Sequence, residues 1–183
     1  MTKKISLIAL AFAALFVSNS SFAQDGLTAS HAISYSVPKV ALVDVEGGSS
    51  ISLSLVAPTE AGLGMDMSAS NSSLWLNYSS TTASAATNTV SVKTDVTLPG
   101  VALKVIAGSD AGAGDGTVGT PSSIVTLSTS DQTLISDIGT CYTGNGTSAG
   151  HNLTYSLATT GYSLIKYTAT PASVTVTYTI TNN

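Results

Sequence analysis

The sequence is poor in charge. Asp, Glu, Lys and Arg make up 9% of its 183 residues, and every basic residue except the two histidines is a lysine. Lys3 and Lys4 open the chain; Lys39, Lys93, Lys104 and Lys166 are scattered along the rest. Phosphate backbones and anionic membrane surfaces are held by clustered Lys or Arg, so this distribution excludes nucleic acid and a polybasic membrane patch. The formal net charge is −4, or about −6 without Lys3 and Lys4. Cysteine occurs once, as Cys141, so no internal disulfide can form. Imidazole is limited to His31 and His151, and aromatic residues are 6% of the chain with a single tryptophan, Trp75. There is no Gly-x-Ser-x-Gly elbow for a serine nucleophile and no Gly-Lys-Ser/Thr phosphate loop.

What is present begins with an address. Met1-Thr2-Lys3-Lys4 is followed by the apolar run Ile5–Val17 and by a small-residue exit ending Ser21-Phe22-Ala23. That order predicts a secretory signal peptide over 1–23, cut before Gln24. A membrane anchor is the competing reading, and the run falls short of the ~20 apolar residues a spanning helix needs. The expected product is residues 24–183, one exported domain without membrane insertion of the mature chain, secreted or at the cell surface. Low charge with much Ser, Thr, Gly and Ala invites a reading as disorder, but a 43% hydrophobic content supplies enough Val, Ile and Leu for a core.

Those apolar residues alternate. Ser173–Thr181 reads Ser-Val-Thr-Val-Thr-Tyr-Thr-Ile-Thr, placing Val174, Val176, Tyr178 and Ile180 on one face of an extended chain and threonines on the other. Similar runs occupy His31–Val37, Val40–Val45, Ile51–Leu55, Leu74–Tyr78, Val90–Val96, Val101–Ile106, Ile124–Leu127, Thr133–Ile138 and Leu153–Leu157. In Val90–Val96, residues 90, 92, 94 and 96 are expected to face inward. A helical turn near Asp131–Ile138, capped by Asp131, competes with the strand there. Gly, Pro, Asn and Ser punctuate the runs, and no helical period follows the leader. The pattern predicts an all-β fold, an Ig-like antiparallel sandwich of about nine to ten strands. An outer-membrane barrel shares the alternation, but the aromatic content is low and several runs are shorter than the ~9–11 residues of a tilted spanning strand.

Few residues nominate themselves as a site. Asp110 and Asp115 lie in the Gly-rich stretch Gly108–Thr120, where calcium is the cation that two carboxylates and flexible carbonyls would suit. The segment matches no calcium-binding repeat, and a long mobile loop is the plainer reading. Cys141 is open to three readings: a buried thiol, an intermolecular disulfide, or a nucleophile served by His151 across a turn at Gly144-Asn145-Gly146. Cys141 and His151 lack further ligands for a metal. Trp75 reads as a core or rim residue before it reads as a sugar platform. The Asn-x-Ser/Thr triplets at Asn71, Asn77, Asn145 and Asn152 are expected by chance in so hydroxyl-rich a chain.

With its export signal, single sandwich and alternating Ser173–Thr181 ending, the chain resembles small secreted bacterial Ig-like fibre subunits of the pilin and spore-coat-U type. The resemblance implies a non-enzymatic structural or adhesive role, partners that are copies of itself or other surface subunits, and no cofactor. It also implies strand donation, with Gln24–Val37 as an arm that pairs with the sheet edge of another subunit. The simpler expectation is that Ile33–Val37 is the first strand of its own sandwich. The alternative function is a soluble extracellular module binding a glycan or calcium through the Gly108–Thr120 and Gly139–Gly150 loops.

Overall fold

The computed structural model describes residues 26–181, so the expected signal peptide lies outside the described residues. The chain divides into two units, 1–36 and 37–183. In the first, residues 26–36 form neither strand nor helix, and Ile33 and Tyr35 are exposed to 78% and 89%. Ile33–Val37 is therefore not a strand of a sandwich, contrary to the simpler expectation: alternation makes a face, but burial needs a layer to cover it.

The second unit is an all-β, Ig-like antiparallel sandwich. Its strands are β1 Ala41–Glu46, β2 Ser70–Ser80, β3 Asn88–Thr94, β4 Val101–Asp110, β5 Asp115–Gly116, β6 Thr120–Pro121, β7 Val125–Thr126, β8 Gln132–Ile138, β9 Cys141–Tyr142, β10 His151–Thr159 and β11 Val176–Ile180. One sheet runs β5-β9-β2-β10-β4-β7 with β1 paired to β2; the other runs β11-β3-β8-β6. Eleven strands replace the expected nine to ten because β5, β6 and β9 have only two residues each, too few to carry a period. Gly108–Thr120 is accordingly not one long loop: it ends β4, forms β5 and enters β6.

Period two decides what is inside. Leu74, Leu76 and Tyr78 of β2, Val105 and Ala107 of β4, and Leu153 and Tyr155 of β10 face Val90 and Val92 of β3 and Leu134, Ile135 and Ile138 of β8. Burying a branched aliphatic side chain contributes about 1.5–3 kcal/mol, so these layers are the main source of stability. Leu134 and Ile135 are consecutive and both fully buried. The β3–β8 register shifts between Val90 and Ser91, and such a bulge re-aims a side chain that strict alternation would send outward. The expected helical turn at Asp131–Ile138 gives way to β8.

Two further expectations fail at edges. Ile51–Leu55 belongs to no strand, although Ile51 and Leu53 pack on the core while Ser52 and Ser54 stay exposed. Val96 lies beyond the end of β3 and is 46% exposed. A single 3₁₀ turn, Tyr162–Leu164, is the only helical element among the described residues, and the Tyr162 hydroxyl accepts a hydrogen bond from Met65 N at 3.2 Å.

The layers make a graded prediction. Leu76→Ala or Leu134→Ala should each lower the unfolding free energy by about 2–5 kcal/mol, because transfer and cavity costs add at a fully buried site. Thr179→Ala, on the exposed face of β11, should stay within about 0.5 kcal/mol. Urea unfolding monitored by the Trp75 fluorescence measures both.

Candidate functional site

Two places in the sandwich depart from a plain apolar core: a polar end inside it, and a pair of strand edges beside it.

The polar end follows from residues that keep the inward phase of their strands while carrying polar groups. Tyr78 continues Leu74 and Leu76 on β2, and His151 precedes Leu153 and Tyr155 on β10. Both are buried, with rings stacked at 5.6 Å between centroids and 12° between planes. His151 Nε2 lies 2.8 Å from the Tyr78 hydroxyl, which also bonds Val118 O. A carbonyl only accepts, so His151 Nδ1 donates to Gly108 O, at 2.8 Å. Thr143, fully buried, donates its N–H to Tyr78 O while its hydroxyl accepts from Tyr78 N. Strand β2 is thereby tied to β4, β10 and the segments at 118 and 143 through one aromatic pair.

Close backbone approach builds this end. Gly150 has φ +67°, and a Cβ there would sit 2.2 Å from Leu76 O. At Gly114 a Cβ would lie 1.7 Å from Tyr142 O, so the turn before β5 lies directly on β9 only because it lacks a side chain.

The residues singled out from sequence fall around this end without forming a catalytic or metal constellation. Asp110 closes β4 opposite His151; its Oδ2 accepts from Gly112 N at 2.8 Å, and its buried Oδ1 has no hydrogen-bond partner. Asp115 is exposed in β5, with Oδ1 accepting from Gly116 N. Each carboxylate thus holds its own turn. Among the described residues no group of three or more His, Cys, Asp or Glu side chains is placed to hold a metal ion. Cys141 is 7% exposed and faces the core, and desolvation pushes its thiol up from 9.0 to about 11, with the Asp110 charge adding to the effect. A thiol held protonated is a poor nucleophile. His151 is committed to Tyr78 and Gly108, not to Cys141. His31 is exposed in the first unit. The Tyr78–His151 pair was missed by motif reasoning; the signal was there in the inward phase of both residues.

The second place is where β1 and β11 approach each other across the sandwich. Each pairs with one neighbour, β1 with β2 and β11 with β3. Thr175 O accepts from Asp95 N, and Thr181 N donates to Thr89 O, so the odd-numbered residues of β11 turn their backbone groups toward β3. Val176, Tyr178 and Ile180 therefore turn theirs away from the sheet. Their side chains, with Val43 and Val45 of β1, pack on the core but remain partly exposed, whereas Val90 and Val92 one strand further in are fully buried. The Tyr178 hydroxyl meets that of Tyr155 from the opposite sheet, and desolvation holds both phenols above their usual range.

No family model matches the chain, and neither the curated proteins nor the solved structures contain a match, so the two places are read from their own geometry. The polar end gives a prediction about alkali. Once unfolded, Cys141 ionises as pH passes about 9, but in the folded chain it keeps its proton to about 11. Between these values the unfolded state binds fewer protons, so stability falls as pH rises. Tyr78, raised mainly by burial, extends the fall above about pH 10. The urea midpoint should drop steadily through this window, and iodoacetamide should label Cys141 only when the chain is unfolded; a thiol labelled rapidly in the native protein contradicts the burial argument.

Proposed function

We propose that this chain is an exported, non-enzymatic structural or adhesive subunit that associates with copies of itself on the cell surface, in the manner of pilin-like fibre proteins. The observation that carries the reading is the unpaired outer edge of β11, with Val176, Tyr178 and Ile180 only partly covered. A strand edge is a template for another strand, and proteins that remain single normally blunt it with charge, proline or a covering segment. The only charges in β1 are Asp44 and Glu46, and β11 has none.

The donor in this reading is the arm around Ile33–Val37. Ile33, Tyr35 and Val37 share one face of an extended chain and are 71–89% exposed. In an assembled fibre the arm of one copy adds to the β11 edge of another, its backbone taking the free hydrogen-bonding groups and its alternate side chains covering the half-buried row. The Ser- and Thr-rich strand faces suit a surface packed against others of its kind. The buried, protonated thiol and the carboxylates spent on their own turns fit a role without bond-making chemistry.

The test uses the mature chain from Gln24. Size-exclusion chromatography with light scattering should show polymers that the double variant Ile33→Asp, Tyr35→Asp reduces to monomers. Its urea midpoint should match that of wild-type chain diluted to monomers, since both positions are exposed in the single chain. A wild-type chain that stays monomeric at high concentration would reject strand addition.

A further inference from the structure

The outer face of the larger sheet carries a second feature, which shares strand β1 with the edges described above. Trp75 follows Leu74 and precedes Leu76, both buried, so its indole lies on the opposite face of β2 from the core. It is partly buried and partly exposed. Cross-strand register places Glu46 of β1 directly opposite it on one side and Asn152 of β10 on the other. Directly paired residues of an antiparallel ladder point the same way with Cβ atoms about 4.5–5.5 Å apart, so the three form one row across the outer surface. The outward positions on the Ser70 side of the row are Ser73 on β2 and Thr154 on β10, with Gly108 against Asn152; on the other side Asn77 is buried, its Nδ2 donating to Gly146 O at 2.9 Å.

The row is partly fixed in place. Asn152 Nδ2 donates to Ser72 O at 2.8 Å and to Leu74 O at 3.3 Å, so the amide lies across β2 beside the indole. The Thr154 hydroxyl donates to Asn152 Oδ1 at 3.5 Å. Glu46 is half-buried and paired with Trp75 through the backbone ladder, and its carboxylate makes no hydrogen bond or ion pair among the described residues, so it is available as an acceptor. Asp44, one step along the same face, accepts from Val45 N and is otherwise open.

We infer that this row is a binding site for a neutral glycan, with Trp75 as the stacking platform, Glu46 as the acceptor that holds ring hydroxyls, and Asn152, its N–H groups spent on β2, offering only the remaining acceptor capacity of Oδ1. An indole presents a flat apolar surface with a negative face, which suits the weakly positive C–H face of a pyranose. A carboxylate accepts hydrogen bonds from vicinal hydroxyls, and charge-assisted bonds are the stronger kind. Ser73 and Thr154 keep the sheet low on one side of the indole, the side from which a sugar would approach. The carboxylates at 44 and 46, with no facing cation in the row, select against sialylated, sulfated or uronic-acid glycans. Trp75, Glu46 and Asn152 themselves lie outside the Gly108–Thr120 and Gly139–Gly150 segments in which the sequence suggested a ligand, and, resting on the function proposed above, the site would give a self-associating subunit its hold on a surface or matrix.

Trp75 is the only tryptophan in the chain, so its fluorescence reports on the site directly. Cellohexaose and chitohexaose are titrated into the full mature protein. Saturable change in emission with at least one of them, together with protection from acrylamide quenching, is the expected result. Trp75→Ala should abolish retention on the matching immobilised oligosaccharide, and Trp75→Phe should restore part of it. Glu46→Gln, which keeps the shape and the tryptophan, should weaken binding roughly tenfold, the loss of one charge-assisted hydrogen bond. It also tests the site should Trp75→Ala fail to fold. No saturable change with either sugar, undiminished retention of Trp75→Ala, or an emission shift that follows protein concentration in place of sugar overturns the inference. The Ile33→Asp, Tyr35→Asp variant should bind sugar as the wild type does, so failure of self-association and failure of this site are told apart.

Discussion

Strand β2 is the constraint on which the rest of the sandwich depends. It is the longest strand, Ser70–Ser80, and it is paired on both sides: β1 along one, and β10 then β9 end to end along the other. An antiparallel strand fixed on both edges has one register, and a slip by one residue would turn Leu74, Leu76 and Tyr78 outward. The same register sets Trp75 between Glu46 and Asn152, and Tyr78 against His151. Core, outer row and polar end are thus three consequences of one alignment. Substitutions that leave it intact act locally, while those that shift it disturb all three together.

Much of this was legible in the sequence wherever a strand is long enough to show a period. Val90 and Val92, Leu153 and Tyr155, and Val176, Tyr178 and Ile180 take the faces that alternation assigns them. The failures are informative about what periodicity measures. Ile51–Leu55 keeps its alternating burial without any ladder, so the pattern there records contact with the core and not strand pairing. Ile33–Val37 has the alternation and no burial at all. Leu134-Ile135 is hidden by a bulge, a feature of the pairing that is not written in either strand alone. The two-residue strands β5, β6 and β9 owe their existence to neighbours brought close by glycine, which no local signal encodes.

Side-chain chemistry was less legible than fold, and for a physical reason. Motifs signal reactive groups in clusters, whereas the structure uses its few histidine and aromatic side chains singly, each placed by its phase on a strand. Tyr78 and His151 share the inward phase and satisfy each other inside; Trp75 sits out of phase with its neighbours and faces outward. Phase relative to the flanking Leu, Val and Ile thus separates residues that composition treats alike. Applied to Trp75, it places the indole on the outer face, where composition alone had suggested core or rim. Applied to Cys141, opposite Ser80 on the inward side, it gives the buried thiol.

The low charge also shapes the surface. The ion pair of Lys93 with Asp131, at 3.2 Å, joins side chains that are both about half exposed. Such pairs contribute little, so the fold rests on apolar layers and neutral hydrogen bonds. A surface of hydroxyls and amides provides weak long-range repulsion between copies, and the β11 edge carries no charge to turn another strand away. Edge pairing and contact with a neutral polymer are both short-range interactions, governed by shape and hydrogen bonding more than by steering fields. The edge points sideways from the sandwich and the Trp75 row points outward from one sheet. In the assembly we propose, the row would recur once per copy along the fibre. Weak single contacts with a polymeric glycan then gain strength from number, because linked sites raise the effective concentration of one another.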